Sequence, residues 1–457
     1  MSKYETFREK YPVFIYKSFK ITENKDNIEI SYEFSVPELT NFKPSWSFPK
    51  PENMTVSDDI IFKNLAFSLG MAEAVSYWKA VCSPEFRIEC GSLSPEQVQW
   101  WKKLYFMGLG EFFYVNEINA DFSNFIEIKS CGNFTGSNIK RPELSDCLVA
   151  IGGGKDSALT LETLTRAGVK CLCYGINKRN SITGTVTTAG LPENALITAQ
   201  RKFDRSLVEY NKKGFLNGHT PFSSVVAFSA EITAYLHGLK YIVLSNESSA
   251  NESTVIGQNV NHQYSKSFEF ENDFHKYEEK YLKTGIYYFS FLRPLSEFQI
   301  AKMFSAHRKY LSVFRSCNLG GKVSPDIWCG ECPKCLFVSL ILSPFLTDDE
   351  LTGIFGKNLL NDKSMTEYFT ELIGKSAHKP FECVGSVDEV NLAVSLAIRK
   401  QNGGKLPLLF ERYKEQGYYN PVNLDEKNNE YCKNFSSENL LPESFREILL
   451  NEMERLL

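Results

Sequence analysis

The sequence predicts an α/β protein with a parallel sheet and right-handed crossovers, preceded by an α+β region and followed by a mainly helical one. Three observations carry this. From about residue 145, short apolar runs alternate with stretches of helical length, the pattern of strands joined by crossover helices. Before that point, "NIEISYEFSV" (27–36) alternates apolar with polar residues, as a half-buried strand does. Beyond about 340 the apolar residues fall at helical spacing. In the last stretch, "PESFREILLNEMERLL", Phe445, Ile448, Leu449, Met453 and Leu456 share one face.

A length of 457 residues suffices for two or three domains. The expected division is an α+β domain at 1–140, an α/β domain at 145–312, a cysteine-rich knuckle at 313–340 and a helical region at 341–457. In the first, "SPEQVQWWKKLYFMGLGEFF" (94–113) reads as an amphipathic helix opened by Ser94 and Pro95. In the second, residues 147–151 read as a strand and Ser157 to Ala167 as a helix closed by Gly168. Residues 169–176 form the next strand. Leu196, Ile197, Phe203, Leu207 and Val208 mark a helix face, a further helix runs from Phe222 to His237, and 240–247 is a third strand. "CLFVSLILSPFL" (335–346) is too short to span a bilayer and reads as a buried helix.

Composition narrows the function classes. Hydrophobic content of 43% and charged content of 23% are those of a folded globular protein, and 35 Phe with 22 Tyr indicate well-filled cores or stacking surfaces. A net charge of −4 disfavours a protein whose main task is gripping nucleic acid. The first residues carry scattered charges and no apolar signal core, so a cytoplasmic protein without membrane anchorage is expected. In that reducing setting, clustered members of the twelve cysteines indicate metal or catalysis rather than disulfides.

The chemistry starts at "LVAIGGGKDSALTLE" (148–162). Gly152, Gly153 and Gly154 let backbone N–H groups approach an anion, and the following helix offers its positive end. Lys155 adds charge, Asp156 can hold Mg²⁺ and Ser157 can donate to a phosphate oxygen. The spacing is neither that of a Walker A loop nor that of a dinucleotide fingerprint. Farther on, Cys317, Cys329, Cys332 and Cys335 form a C-x11-C-x2-C-x2-C array. Four sulfurs leave no open position and suit structural Zn²⁺, with an iron–sulfur cluster as the alternative. Between these lie polar stretches at 217–228, 244–253 and 259–271. Asn246 and Glu247 follow a strand, where ligands of open α/β sheets sit. His219 and His262 are candidates for proton transfer. Arg293 suits either a phosphate or a carboxylate partner.

"GGGKDS" resembles the S-G-G-x-D-S loop of the PP-loop ATP pyrophosphatase superfamily, with Gly152 in place of the leading serine. The resemblance implies an adenine nucleotide α-hydrolase-like domain that splits ATP between its α and β phosphates. "RPLSEFQIAKMF" (293–304) is similar to the segment that runs from the domain into a closing helix in PP-loop enzymes. Taken with "GHTPFSSVVAF", "SNESSANES", "NHQYSKS", "WCGECPKC" and "KPFECVG" (379–385), the chain is similar to the UDP-N-acetylmuramoyl-L-alanyl-L-glutamate epimerase family over about residues 1 to 400. That implies ATP and Mg²⁺ as cofactors and a UDP-muramoyl-dipeptide as a small-molecule substrate, whose terminal L-glutamate is inverted with release of AMP and pyrophosphate. Asp156 and the loop would hold the nucleotide, and Glu247, His219 and His262 are the acid/base candidates. Lys266 or the N-terminal region would meet the uridine diphosphate. Rival readings are an adenylating synthase, like 7-cyano-7-deazaguanine synthase or the tRNA-thiolating enzymes, and a non-catalytic ATP-binding zinc protein.

Overall fold

The structure is a computed structural model that describes residues 2–52, 54–139, 143–251, 261–322 and 326–457. Parts of three stretches quoted above, at 252–253, 259–260 and 323–325, lie outside the described residues. Eleven described strands form one sheet: β1 (Val13–Glu23), β2 (Asn27–Val36), β3 (Thr40–Phe42), β4 (Ser45–Pro49), β5 (Glu85–Ile88), β6 (Glu127–Ser130), β7 (Ser145–Ala150), β8 (Cys171–Ile176), β9 (Leu196–Lys202), β10 (Leu239–Leu244) and β11 (Tyr287–Ser290). Their spatial order is β11-β10-β7-β8-β9-β4-β2-β1-β5-β6, with β3 on the end of β2.

β7 to β11 pair in parallel. The N-terminal strands continue the same sheet through an antiparallel seam, in which Trp46 of β4 faces Arg201 of β9. Residues within β7 alternate between two cores, as period-two geometry requires. Leu148 joins the aromatic-rich core that also holds Trp101 and Phe228. Cys147 and Val149 join the core on the other face with Leu159, Ile300 and Leu449. A third core lies in the helical region, where Pro333–Leu342 is buried along its length and packs on Val387–Lys400.

Local chemistry sets most boundaries. Ser94 and Gln97 form a reciprocal capping box that starts the helix Pro95–Gly108. Phe222–His237 ends on Gly238 in the left-handed conformation. One expectation is overturned. Leu196 to Val208 is not a helix face but strand β9 followed by a short helix, Ser206–Lys212. In β9 the buried side chains are Ile197 and Ala199, two residues apart, whereas Phe203 and Val208 are 37% and 45% exposed. The apparent helical spacing runs across the junction of two elements.

Candidate functional site

From β7 the chain moves to β8 and β9 on one side, then crosses to β10 and β11 on the other. This is the topological switch at which open α/β sheets bind ligands. A cavity of about 500 Å³ opens there, lined by Ala150 and Ile151 at the end of β7, Tyr174 to Asn177 at the end of β8, and Leu244 to Glu247 at the end of β10. Its size suits a nucleotide-sized ligand.

The glycine loop forms one wall. Gly153 has φ +86°, and a Cβ there would collide with Ser181. Gly152 faces open space, so its position tolerates a side chain. Gly154 caps the helix Lys155–Arg166, and Ser157 Oγ donates to the Gly154 carbonyl at 3.1 Å. The Arg315 backbone N–H donates to the Gly153 carbonyl at 2.6 Å, tying the cysteine segment onto the loop. Gly152, Gly154, Asp156 and Ser157 all line the cavity.

Lys155 behaves differently from expectation. It is 2% exposed and its ammonium is held by Asp156 and Glu297 rather than offered to a ligand. Burial alone would push that cation toward neutrality, but the two carboxylates outweigh it and hold it charged above the usual lysine range. Burial works against the Asp156 carboxylate too. Lys155, then Lys334 and Lys266, outweigh it and keep Asp156 below its usual range. For Glu297 burial wins over the pull of Lys155, and its carboxyl rises to about 8.

Asn246 Nδ2 donates to Ser290 Oγ at 3.0 Å. Glu247, 4% exposed, is raised above the usual carboxylate range, first by burial and then by Asp156, against the pull of Lys266. Two polar atoms of cavity-lining residues, Ser245 Oγ beside Asn246 and Arg315 Nε beside the glycine loop, are buried without a hydrogen-bond partner. Such orphans carry a desolvation cost unless a ligand pairs with them. Arg293 does not reach the cavity. It is fully buried, bonds Glu271 through Nε at 3.1 Å and Nη2 at 2.8 Å, and donates to the Glu247 and Lys266 carbonyls. Of the two partners open to it, the structure supplies the carboxylate, and Arg293 serves by fixing the backbone of two cavity residues.

His219 and His262 come together, with ring centroids 4.3 Å apart, but against Glu111 rather than on the cavity wall. His262 Nδ1 bonds Glu111 directly, and its ring also hydrogen-bonds Cys383. Burial opposes the His262 charge, yet Cys383 and Glu111 raise it to about 9. Burial, aided by the His262 charge, keeps His219 well below the usual range. Cys383 lines the cavity, its sulfur 3.1 Å from Lys266 Nζ, while Lys334 donates to its carbonyl. Neither Glu297 nor Cys383 was singled out as a site residue by sequence reasoning. Both lie in stretches it did quote, at 293–304 and 379–385.

Cys317, Cys329, Cys332 and Cys335 place their sulfurs within 4.8 Å of one another. Three of the pairs measure 3.7, 3.7 and 3.5 Å. A tetrahedral ion with bonds of about 2.3 Å separates its sulfurs by about 3.8 Å, so the cluster is suited to hold one zinc ion.

The MurL N-terminal domain family matches residues 5–291, and the MurL C-terminal domain family matches 313–423. The chain belongs to the MurL family. The first MurL match spans all eleven strands, and the second takes in the four-cysteine segment. Similar proteins include UDP-N-acetyl-alpha-D-muramoyl-L-alanyl-L-glutamate epimerases. The one from Salinispora tropica is 37% identical over 73% of each chain. Those from Xanthomonas oryzae pv. oryzae and a Micromonospora species are 35% identical over 72% of this chain and 73% of the relative, and 34% identical over 75% and 76%. No solved structure matches the chain significantly. Among the described residues, no helix is long and apolar enough to cross a membrane.

Proposed function

We propose that this chain inverts the terminal L-glutamate of UDP-N-acetylmuramoyl-L-alanyl-L-glutamate, using ATP to adenylate the glutamate carboxylate. The supporting observation is that a glycine loop and a carboxylate line one cavity at the sheet's switch point, with two lining residues, Ser245 and Arg315, each carrying a buried polar atom without a partner, in a chain whose relatives are named for that epimerisation.

The chemistry explains why a nucleotide is needed. Removing an α-proton beside a carboxylate builds a second negative charge next to the first. Converting the carboxylate to an acyl-adenylate removes that charge and lets the acyl carbonyl accept the electron pair. Inversion alone is nearly thermoneutral, and loss of pyrophosphate makes it directional. In this reading the Gly152–Gly154 amides and Ser157 hold phosphate oxygens. Ser245 Oγ and Arg315 Nε find their missing partners on the nucleotide. Asp156, kept ionised by its lysines, fits a Mg²⁺ ligand; the ion would neutralise charge on the departing pyrophosphate. Glu247, in the same cavity, is suited to proton transfer at the α-carbon. The four-cysteine cluster, with no open position, would hold zinc and brace Arg315 and Ser316 beside the loop. We place the reaction in the cytoplasm, where ATP is available and four thiols stay reduced.

The test is to incubate the purified chain with Mg-ATP and the UDP-muramoyl-dipeptide, then measure the nucleotide products and, after acid hydrolysis of the dipeptide, the chirality of its glutamate. AMP together with D-glutamate is expected. ADP as the product, or AMP with L-glutamate only, would overturn the reading.

A further inference from the structure

We propose that Cys383 is a proton-transferring group at the substrate α-carbon, with His262, Glu111 and Lys266 as its positioning residues. This rests on the adenylation reading above and adds a residue to it.

Four placements carry the inference. Cys383 is on the wall of the cavity that the glycine loop opens into, partly accessible, and beside Glu382 and Lys334. Its sulfur lies 3.1 Å from Lys266 Nζ. The His262 ring bonds that sulfur, and His262 Nδ1 bonds Glu111. A reactive atom, a ring that bonds it and a carboxylate that orients the ring are the parts of an activated nucleophile or base.

The other cysteines lack this arrangement. Cys147, Cys171 and Cys173 lie in strands β7 and β8, against each other or the core. Burial pushes Cys90 and Cys173 up to about 12. The four clustered sulfurs face one another. Cys383 faces cations instead. Burial opposes its ionisation, but Lys266, then His262 and Lys334, bring the thiol down to about 6, so the anion is the resting form at neutral pH.

The step balances without an added reagent. The thiolate takes the α-proton of the acyl-adenylate, an S–H bond forms, and the C–H electron pair moves into the acyl carbonyl as an enolate. Glu247, also on the cavity wall, delivers a proton to the opposite face and restores the C–H bond with inverted configuration. Exchange with water returns both groups to their starting states. Water then hydrolyses the acyl-adenylate, releasing AMP and leaving the terminal D-glutamate still joined to the dipeptide.

The decisive experiment runs the reaction in D₂O with Mg-ATP and the UDP-muramoyl-dipeptide. It follows AMP formation and deuterium at the glutamate α-carbon separately, for the unaltered chain and for Cys383→Ala and Cys383→Ser. The variants are expected to form AMP within a few-fold of the unaltered rate, while deuterium incorporation and D-glutamate fall by at least about 100-fold. Full deuterium incorporation in the variants would overturn the role of Cys383 and leave the adenylation reading intact. Loss of AMP formation in a folded variant would also overturn it, since Cys383 would then serve nucleotide or substrate binding. Absence of AMP with the unaltered chain would instead sink the adenylation reading. Should neither variant fold, iodoacetamide labelling of the unaltered chain at pH 7 decides. Cys383 should react at least tenfold faster than exposed Cys131, with substrate protecting it. Labelling no faster than Cys131 would overturn the thiolate.

Discussion

The cavity has two walls made in different ways. The loop wall comes from one unbroken stretch, Gly152 to Ser157, and works through backbone geometry. Its only lysine is locked between two carboxylates. The facing wall is made of side chains from distant segments: Lys266 and Cys383 meet across 117 residues, and behind them His262 and Glu111 pair across 151. The first wall is built to hold a ligand of fixed shape. The second is built to tune charge. Nucleotide binding needs the former, and proton transfer at a weakly acidic carbon needs the latter.

The largest effect should come from breaking the loop wall's charge. Asp156→Asn keeps the shape and should lower AMP formation on the order of 1,000-fold, together with epimerisation, read from nucleotide release. If AMP formation survived while inversion stopped, Asp156 would belong with the proton-transfer wall instead. Next comes the brace shared by both walls. Cys332→Ala, or a strong chelator, should cost bound metal and lower the melting temperature, because ligation is coupled to folding. Metal analysis and a thermal melt check this. A stable, metal-loaded variant with dead chemistry would make the knuckle catalytic.

A smaller, pH-dependent effect belongs to the facing wall. A thiol lowered to about 6 is ionised above that pH and protonated below it, so α-deuterium exchange should fall as pH drops through about 6. AMP formation should not follow that limb. His262→Ala removes one of the charges that lowers the thiol, so the limb should move to higher pH and exchange at pH 7 should fall by about tenfold. An unmoved limb would dissociate His262 from Cys383. The smallest effect separates two neighbouring glycines. Gly152→Ser enters open space and should change activity by less than about twofold. Gly153→Ala must hold φ +86° against Ser181 and should destabilise the fold by at least about 1 kcal/mol in denaturant titration.

What was legible in the sequence follows the same division. β2, the helix Phe222–His237, the glycine loop and the four cysteines are written in contiguous or closely spaced residues, and each stands where the pattern puts it. The stretch 196–208 misled because a strand and a helix abut with compatible apolar spacing. Arg293 reads equally as a partner of phosphate or of a carboxylate until Glu271 is found beside it, a partner that only packing supplies. Cys383 stood inside a quoted motif, yet nothing local marks it as a base. Its chemistry is set by Lys266 and His262, more than a hundred residues away. A glycine loop or a cysteine array is legible in local order, whereas a tuned group becomes visible only once the fold has assembled its neighbours.

If activation of the carboxylate precedes inversion of its neighbouring carbon, exchange at that carbon depends on adenylation. The direct measurement is deuterium uptake at the glutamate α-carbon in D₂O with ATP, without nucleotide, and with an ATP analogue whose α–β bridge cannot be cleaved. Uptake is expected only where AMP also forms. Uptake without nucleotide, or with the uncleavable analogue, would contradict that order.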